Sequence, residues 1–330
     1  MGVSVSHRFV HRTFVAMLLA LSFGARAHAL ASDPLPGDAI SPPPNVNLLL
    51  YYNGLTNAGV LEPVRGSGYD KDTHISLDIQ VLRYIRTFDV DGMVAGVQAM
   101  QPYVIFNGGQ VLGEPHLPPS DGPGRVDLSH SGGFAQPSFG AFIYPVSHPA
   151  SGTYVAAGFW IAPPIGNYDK YANLNFTQNL WSGEIELGGR TVLLGSDSAQ
   201  SLAVEFWTEG YFYGGNNDSA VLAPGEALPA RLSEQPSGEI RAYLPYQFYA
   251  LTHATFTPGL YQSFGGKQVY TLADGTKTDA GTRTQETQLR FVLSSYLSVH
   301  WQILLNTEYD LAAHGAPLNR NVELRVATIF

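Results

Sequence analysis

Glu205, Trp207, Glu209, Tyr211 and Tyr213 occupy every second position of one short segment, so an extended backbone puts all five on the same face. Two carboxylates interleaved with an indole and two phenols make a surface that stacks on an apolar ring and orients it through a few polar groups. Glu286, Gln288 and Arg290 repeat the spacing with opposite charges, and a third set runs through His300, Gln302 and Glu308. Hydrolysis is the competing chemistry. It needs a nucleophile and a base within hydrogen-bond reach, and the alternation sets His300 on a polar strand face, where a hydrogen bond along that face is its plainer role. The sequence holds no Gly-x-Ser-x-Gly elbow and no paired-histidine metal motif. With no cysteine in 330 residues, thiolate catalysis and thiolate metal sites are excluded. No cofactor and no metal are expected.

Strands must hold these side chains in register. In residues 284–293, Thr287, Leu289, Phe291 and Leu293 alternate with Glu286, Gln288 and Arg290. In residues 298–309, Val299, Trp301, Ile303, Leu305 and Tyr309 alternate with His300, Gln302, Asn306 and Glu308, which predicts a hairpin turning at 294–297. Trp181, Gly183, Ile185 and Leu187 oppose Ser182, Glu184 and Glu186, and Leu202, Val204 and Phe206 oppose Ala203, Glu205 and Trp207. Each segment carries charge on one face only. A soluble sandwich would turn that face outward, whereas a membrane barrel turns it into the lumen and gives the apolar face to lipid.

Weaker strands are predicted at 46–52, 75–88, 93–106, 134–144, 154–162, 240–248 and 254–263, with 191–194 continuing the Trp181 region. The last strand places Val322, Leu324, Val326, Thr328 and the terminal Phe330 opposite Glu323, Arg325 and Ala327. That pattern is how an outer-membrane barrel closes, and it makes Leu324, Val326, Thr328 and Phe330 the expected signal for the barrel assembly machinery. The fold class is therefore all-β, an antiparallel transmembrane barrel of about 12 strands, an even number as bacterial barrels prefer. The turn-rich gaps at 108–133, 216–238 and 265–283 are expected to be extracellular loops.

The domain order follows. Residues 1–29 read as a signal peptide: Arg8, His11 and Arg12 precede a short apolar run at 14–23, and small residues allow cleavage after Ala29 or Ala27. That run is half the length a membrane-spanning helix needs. Residues 30–45, with Pro34, Pro36 and Pro42 to Pro44, form an extended tail, either periplasmic or facing the lumen. Residues 46–330 form the barrel. Losing the leader removes three arginines and no acid, moving the formal charge from -9 to about -12, so nucleic acid is an unsuitable partner. Many of the 18 tyrosines, 17 phenylalanines and 4 tryptophans sit at strand ends, and Tyr51, Tyr52, Tyr103, Tyr144, Trp160, Tyr211, Tyr213 and Tyr309 are expected to build interfacial girdles.

The stretches PLPGDAISPPPNVNLLLYYNGLTNAG, FWIAPPIGNYDKY and EFWTEGYFYGGNND, together with the terminal strand, resemble the transporters of the meta-pathway of phenol degradation. Pro164 to Asp169 is the most specific of these motifs, with Ile165 where that family more often has Thr. The resemblance implies an outer-membrane barrel that passes hydrophobic or aromatic compounds. The expected function is passive uptake of small hydrophobic solutes, aromatic ones among them, with outer-membrane lipid, the assembly machinery and the solute as partners. Glu205, Trp207, Glu209, Tyr211, Tyr213, Glu286, Gln288, Arg290, His300, Gln302 and Glu308 are the expected lumen-lining residues. Ion pairs among them would equally lock a narrow lumen. Two other classes stay open: an outer-membrane lipid hydrolase using His300, and a structural or adhesive barrel.

Overall fold

The computed structural model describes residues 33–61, 74–112, 125–127, 131–171, 175–196, 200–223, 226–248, 254–279, 285–314 and 317–330. The leader assigned to residues 1–29 lies outside them. Among the described residues every regular element is a strand. The first three are long: β1 (Asn47–Leu61), β2 (His74–Val90) and β3 (Met93–Leu112). Two short pieces, β4 (Arg125–Asp127) and β5 (Ser131–Phe134), precede β6 (Ser138–His148), β7 (Thr153–Ala162), β8 (Ser182–Gly195) and β9 (Ser201–Tyr213). Then come β10 (Gly215–Ala223), β11 (Glu226–Glu234), β12 (Ser237–Tyr243), β13 (Tyr246–Gln247) and β14 (Ala254–Phe264). The chain ends with β15 (Gln268–Leu272), β16 (Lys277–Asp279), β17 (Gln285–Tyr296), β18 (Trp301–His314) and β19 (Pro317–Ile329).

Antiparallel pairing runs β1-β2-β3-β6-β7-β8-β9-β12-β14-β17-β18-β19 and returns to β1, giving a closed barrel of 12 strands. The terminal residue completes the seam: Asn47 N–H donates to the Phe330 carbonyl, and Phe330 N–H donates to the Asn47 carbonyl, both at 2.9 Å. Closure leaves no unpaired edge, the condition for a sheet to sit in hydrocarbon. Side-chain parity follows the alternation. On β17, Glu286, Gln288, Arg290 and Val292 are buried while Phe291 and Leu293 are exposed. On β19, Glu323 and Arg325 point inward while Val322 and Leu324 face out.

Short turns share one end. Asp91 and Gly92, both at positive φ (52° and 79°), make the two-residue turn between β2 and β3. Residues 149–152 and 297–300 make two more. In barrels of this kind the short turns face the periplasm. The opposite end carries more structure than the loops expected there: β10, β11, β15 and β16 form a separate four-stranded antiparallel sheet, and β3 extends to Leu112. Polar turn residues marked the two gaps that hold this sheet, and they concealed strands such as Glu226–Glu234 that pair within the cap instead of joining the barrel.

Two further expectations are corrected. The β17–β18 turn lies at 297–300, not 294–297, because the ladder continues to Tyr296 opposite Gln302. His300 is therefore an exposed turn residue and not a strand residue. Its backbone N–H donates to Ser298 Oγ at 3.2 Å, and its carbonyl accepts from Ile329 N–H at 3.0 Å. The girdle is also rearranged. Tyr51 and Tyr309 face outward, but Tyr52, Tyr144, Trp160 and Tyr211 are buried inside. Adjacent residues on a strand cannot share a face, so Tyr51 and Tyr52 were never both available. Outward aromatics include Tyr84, Phe88, Trp301 and Phe330 near the short-turn end and Phe134, Trp181, Phe212, Phe264 and Tyr309 near the other.

Candidate functional site

The inner wall has two unlike halves. Along β1 to β3 it is apolar: Leu50, Tyr52 and Ala58 on β1, then Ile75, Leu77, Ile79, Val81 and Ile85 on β2, then Met100, Val104 and Phe106 on β3. This stripe runs from Leu50 and Ile85 near the short-turn end to Ala58, Ile75 and Phe106 near the opposite rim. There Leu232 of β11 and Tyr270 of β15 belong to the same cluster, as does Leu180. Arg83 alone carries a charge on the inner face of β2, tied by Nε to Gln98 Oε1 at 2.8 Å.

The other half is ionic. Arg241, fully buried on β12, pairs with Glu209 and with Glu239, the latter at 2.5 Å, and both Arg241 and Arg290 lie against the Tyr261 ring. Arg290 contacts Glu308 at 3.5 Å and donates to Gln288 Oε1 at 2.9 Å. Burying one partner of such a pair alone would leave a costly uncompensated charge, and the cross-strand network meets that condition.

The proline-rich segment enters this ionic half. Residues 33–40 fold into turns inside the barrel, with Asp38 N–H donating to Leu35 O and Ile40 N–H to Gly37 O, both at 3.0 Å. Gly37 sits at φ +95°, a conformation that suits glycine. Asp33 pairs with Arg241 and, at 2.8 Å, with Arg290. Asp38 accepts from Arg325 at 2.7 Å, and Tyr144 donates to the Asp38 carbonyl at 2.7 Å. Glu205 accepts from Gly37 N–H at 3.0 Å and from Trp207 Nε1 at 2.9 Å. The segment is thus a plug held by charges at both ends of its turn, and the tail is lumenal.

Large inward aromatics lie over glycines of the neighbouring strand. Phe142 faces Gly96, Trp160 faces Gly140, Trp207 faces Gly188 and Tyr243 faces Gly259 in the pairing register. A Cβ on Gly140 would stand 1.7 Å from Trp160, and one on Gly188 would stand 2.3 Å from Trp207, so only glycine admits these rings flat against the wall. Two cavities flank the plug. One, of about 360 Å³, is lined by Leu48, Leu50, Ile85, Phe142, Tyr144, Trp160, Trp207, Arg83, Glu186 and Arg325. The second, of about 350 Å³, is the more polar of the two, with Arg190, Ser201, Gln247, Thr255, Thr257 and Gln302 beside Ile40, Tyr154 and Pro245.

Of the residues singled out in the sequence, Glu205, Trp207, Glu209 and Tyr211 are buried on the inner wall, and Tyr213 is partly buried with its hydroxyl 2.7 Å from Ser237 Oγ. Glu286, Gln288, Arg290 and Glu308 are also buried there, and Gln302 accepts from Arg325 Nη2 at 3.0 Å. The charges mostly bind one another and the plug. His300 lies in the exposed turn at the short-turn mouth, where it joins Trp207, Gln302 and Arg325 in lining the first cavity. Leu324, Val326, Thr328 and Phe330 lie on the outer face. The plug acids Asp33 and Asp38, the apolar stripe and the glycine-backed rings of Phe142 and Tyr243 were not singled out, and Trp160 was assigned to the girdle. The period-two apolar run of β2 was visible in sequence, but the glycine–aromatic pairs depend on cross-strand register, which no single segment shows.

In the cap, Glu234 accepts from Gln268 Nε2 at 3.0 Å, and burial pushes its carboxyl up to about 7.

A closed 12-strand barrel with an apolar exterior, paired seam and ion-paired interior defines a transmembrane barrel of the outer-membrane type. The family described as "Putative MetA-pathway of phenol degradation" matches residues 58–326, and the chain belongs to it. Among solved structures the fold is similar to that of the COG4313 outer membrane channel from Pseudomonas putida F1, with 19% identity and a TM-score of 0.71 over 90% of this chain and 100% of that one. A more remote likeness extends to the beta domain of the Bordetella autotransporter BrkA, at 11% identity and a TM-score of 0.47 over 87% of this chain and 100% of that one. A deltaS2S3 mutant of the TodX monoaromatic hydrocarbon channel stands at 8% identity and the same TM-score, over 87% and 90%. No curated protein matches the sequence.

Proposed function

We propose that the protein is a passive outer-membrane channel for small hydrophobic compounds, aromatic ones among them. The carrying observation is the apolar stripe along β1 to β3, which spans the wall and joins the aromatic-lined cavity beside the plug through Leu50 and Ile85. A polar solute would lose hydration along such a wall, whereas an apolar one gains by leaving water. The family membership supports the reading, since its description names phenol degradation. No energy-coupling part is needed for a solute moving down its gradient. We read no enzymatic step in the chain: His300 stands exposed in a turn at the mouth of the first cavity, on no strand that would hold it against a nucleophile. The leader at 1–29 and recognition of Leu324, Val326, Thr328 and Phe330 by the assembly machinery belong to the same reading.

The test is the initial rate of entry of labelled toluene into cells lacking the protein and into the same cells complemented with it. Complementation should raise the rate, and equal rates would remove the reading.

A further inference from the structure

The cavity beside the plug is lined by one carboxylate that Arg83 and Arg241 reach only at longer range. Its two guanidiniums are occupied: Arg325 binds Asp38 at 2.7 Å and Gln302 at 3.0 Å, while Arg83 binds Gln98 at 2.8 Å. The Glu186 carboxylate, half-buried on β8, makes no hydrogen bond or ion pair among the described residues. It stands directly across from Glu209 in the β8–β9 ladder, and the ligand atoms of Glu184, Glu186 and Glu209 lie within 4.8 Å of one another. Like charges directly opposite in a sheet repel, and a nearby cation relieves that repulsion.

The surroundings select which cation. Glu186 pairs on its other side with Gly158, against which the six-membered ring of Trp160 lies: a Cβ on Gly158 would meet Trp160 Cη2 at 2.8 Å. Two residues along β8, Gly188 holds the Trp207 ring in the same way, and Trp207 is fixed by its bond to Glu205. Glu186 is thus flanked by two indoles laid against glycines, with Phe142 and Tyr144 on the same cavity wall. Aromatic faces around a carboxylate favour an organic ammonium group, because the rings attract its charge and accept its carbon skeleton. A hydrated metal ion gains nothing from the rings.

We propose that this cavity binds amine-bearing hydrophobic compounds, with the ammonium group at Glu186 between Trp160 and Trp207 and the apolar body toward Leu50 and Ile85. The proposal rests on the uptake reading above and names a solute class for it.

Three ligands of one skeleton test it: 2-phenylethylamine, 2-phenylethanol and phenylacetate, titrated calorimetrically into the detergent-folded protein at neutral pH and followed for entry into proteoliposomes. The amine should bind at least tenfold tighter than the alcohol, about 1.4 kcal/mol, with phenylacetate weakest. Glu186→Gln, checked for folding by heat-modifiable gel migration, should bring the amine to the level of the alcohol and leave the alcohol unchanged. Trp160→Phe should weaken the amine more than the alcohol. If the alcohol enters through the protein but the wild type shows no preference for the amine, the ammonium site is wrong and the uptake reading stands. If none of the three enters or binds, both fall.

Discussion

Gly37 and Glu205 lie 168 positions apart, yet the Gly37 N–H donates to the Glu205 carboxylate at 3.0 Å inside the barrel. A second donor from Trp207 Nε1 fixes that carboxylate toward the plug. Charge-assisted bonds of this kind are about twice as strong as neutral ones. Removing the acceptor leaves the turn's N–H groups unmet, so Glu205→Ala should loosen residues 33–40 and raise ion conductance in planar bilayers severalfold. Unchanged conductance would show that the plug is held by its aspartates alone.

Arg241 holds the ionic half together, joining Asp33, Glu209 and Glu239. Arg241→Ala leaves Glu209 and Glu239 without their cation while Asp33 keeps Arg290, and breaking a buried pair costs about 3–5 kcal/mol. Urea unfolding in detergent micelles, followed by gel migration, should show the midpoint falling well below that of the wild type.

On the outer face, Leu324 sits between Leu305 of β18 and Asn53 of β1, within the apolar band. A cation facing lipid there costs about 2–4 kcal/mol. Leu324→Arg should therefore reduce the fraction folded into lipid vesicles, while Leu324→Ile folds normally. Equal yields would contradict the assigned parity.

The cap should respond to pH through Glu234. Burial raises its folded value to about 7 from an ordinary 4.5, so between those values the folded cap binds more protons than the opened one. Cap stability is then greatest at and below pH 4.5, falls as pH rises through the window, and is level above it. Once the intrinsic base catalysis of amide exchange is divided out, the protection factors of Glu226–Glu234 should be lower at pH 8 than at pH 5. Glu234→Gln should remove the difference.

Much of the barrel was legible because parity is a local property. Glu286, Gln288 and Arg290 declared their face in one strand, and the terminal Phe330 declared the seam. What escaped depends on neighbours distant in sequence. The alternation that ran through Ser298, Val299 and His300 continued past the strand because a four-residue turn can carry the same apolar–polar rhythm. The aromatics at strand ends gave no sign of direction until register set Trp160 over Gly140 and Trp207 over Gly188. The prolines of residues 34–44 excluded helix and ladder, but the plug's location follows from Asp33 and Asp38 meeting Arg290 and Arg325, contacts invisible along the chain.

The central claim, that hydrophobic solutes follow the stripe on β1 to β3, is tested most directly by placing a charge in it. Ile79→Asp interrupts the stripe on β2, and Thr257→Asp alters the opposite polar cavity as a control. With both variants folded to equal amounts in the outer membrane, the initial entry of labelled toluene should fall to the level of cells without the protein for Ile79→Asp and stay near wild type for Thr257→Asp. Wild-type entry through the Ile79→Asp barrel would contradict the account.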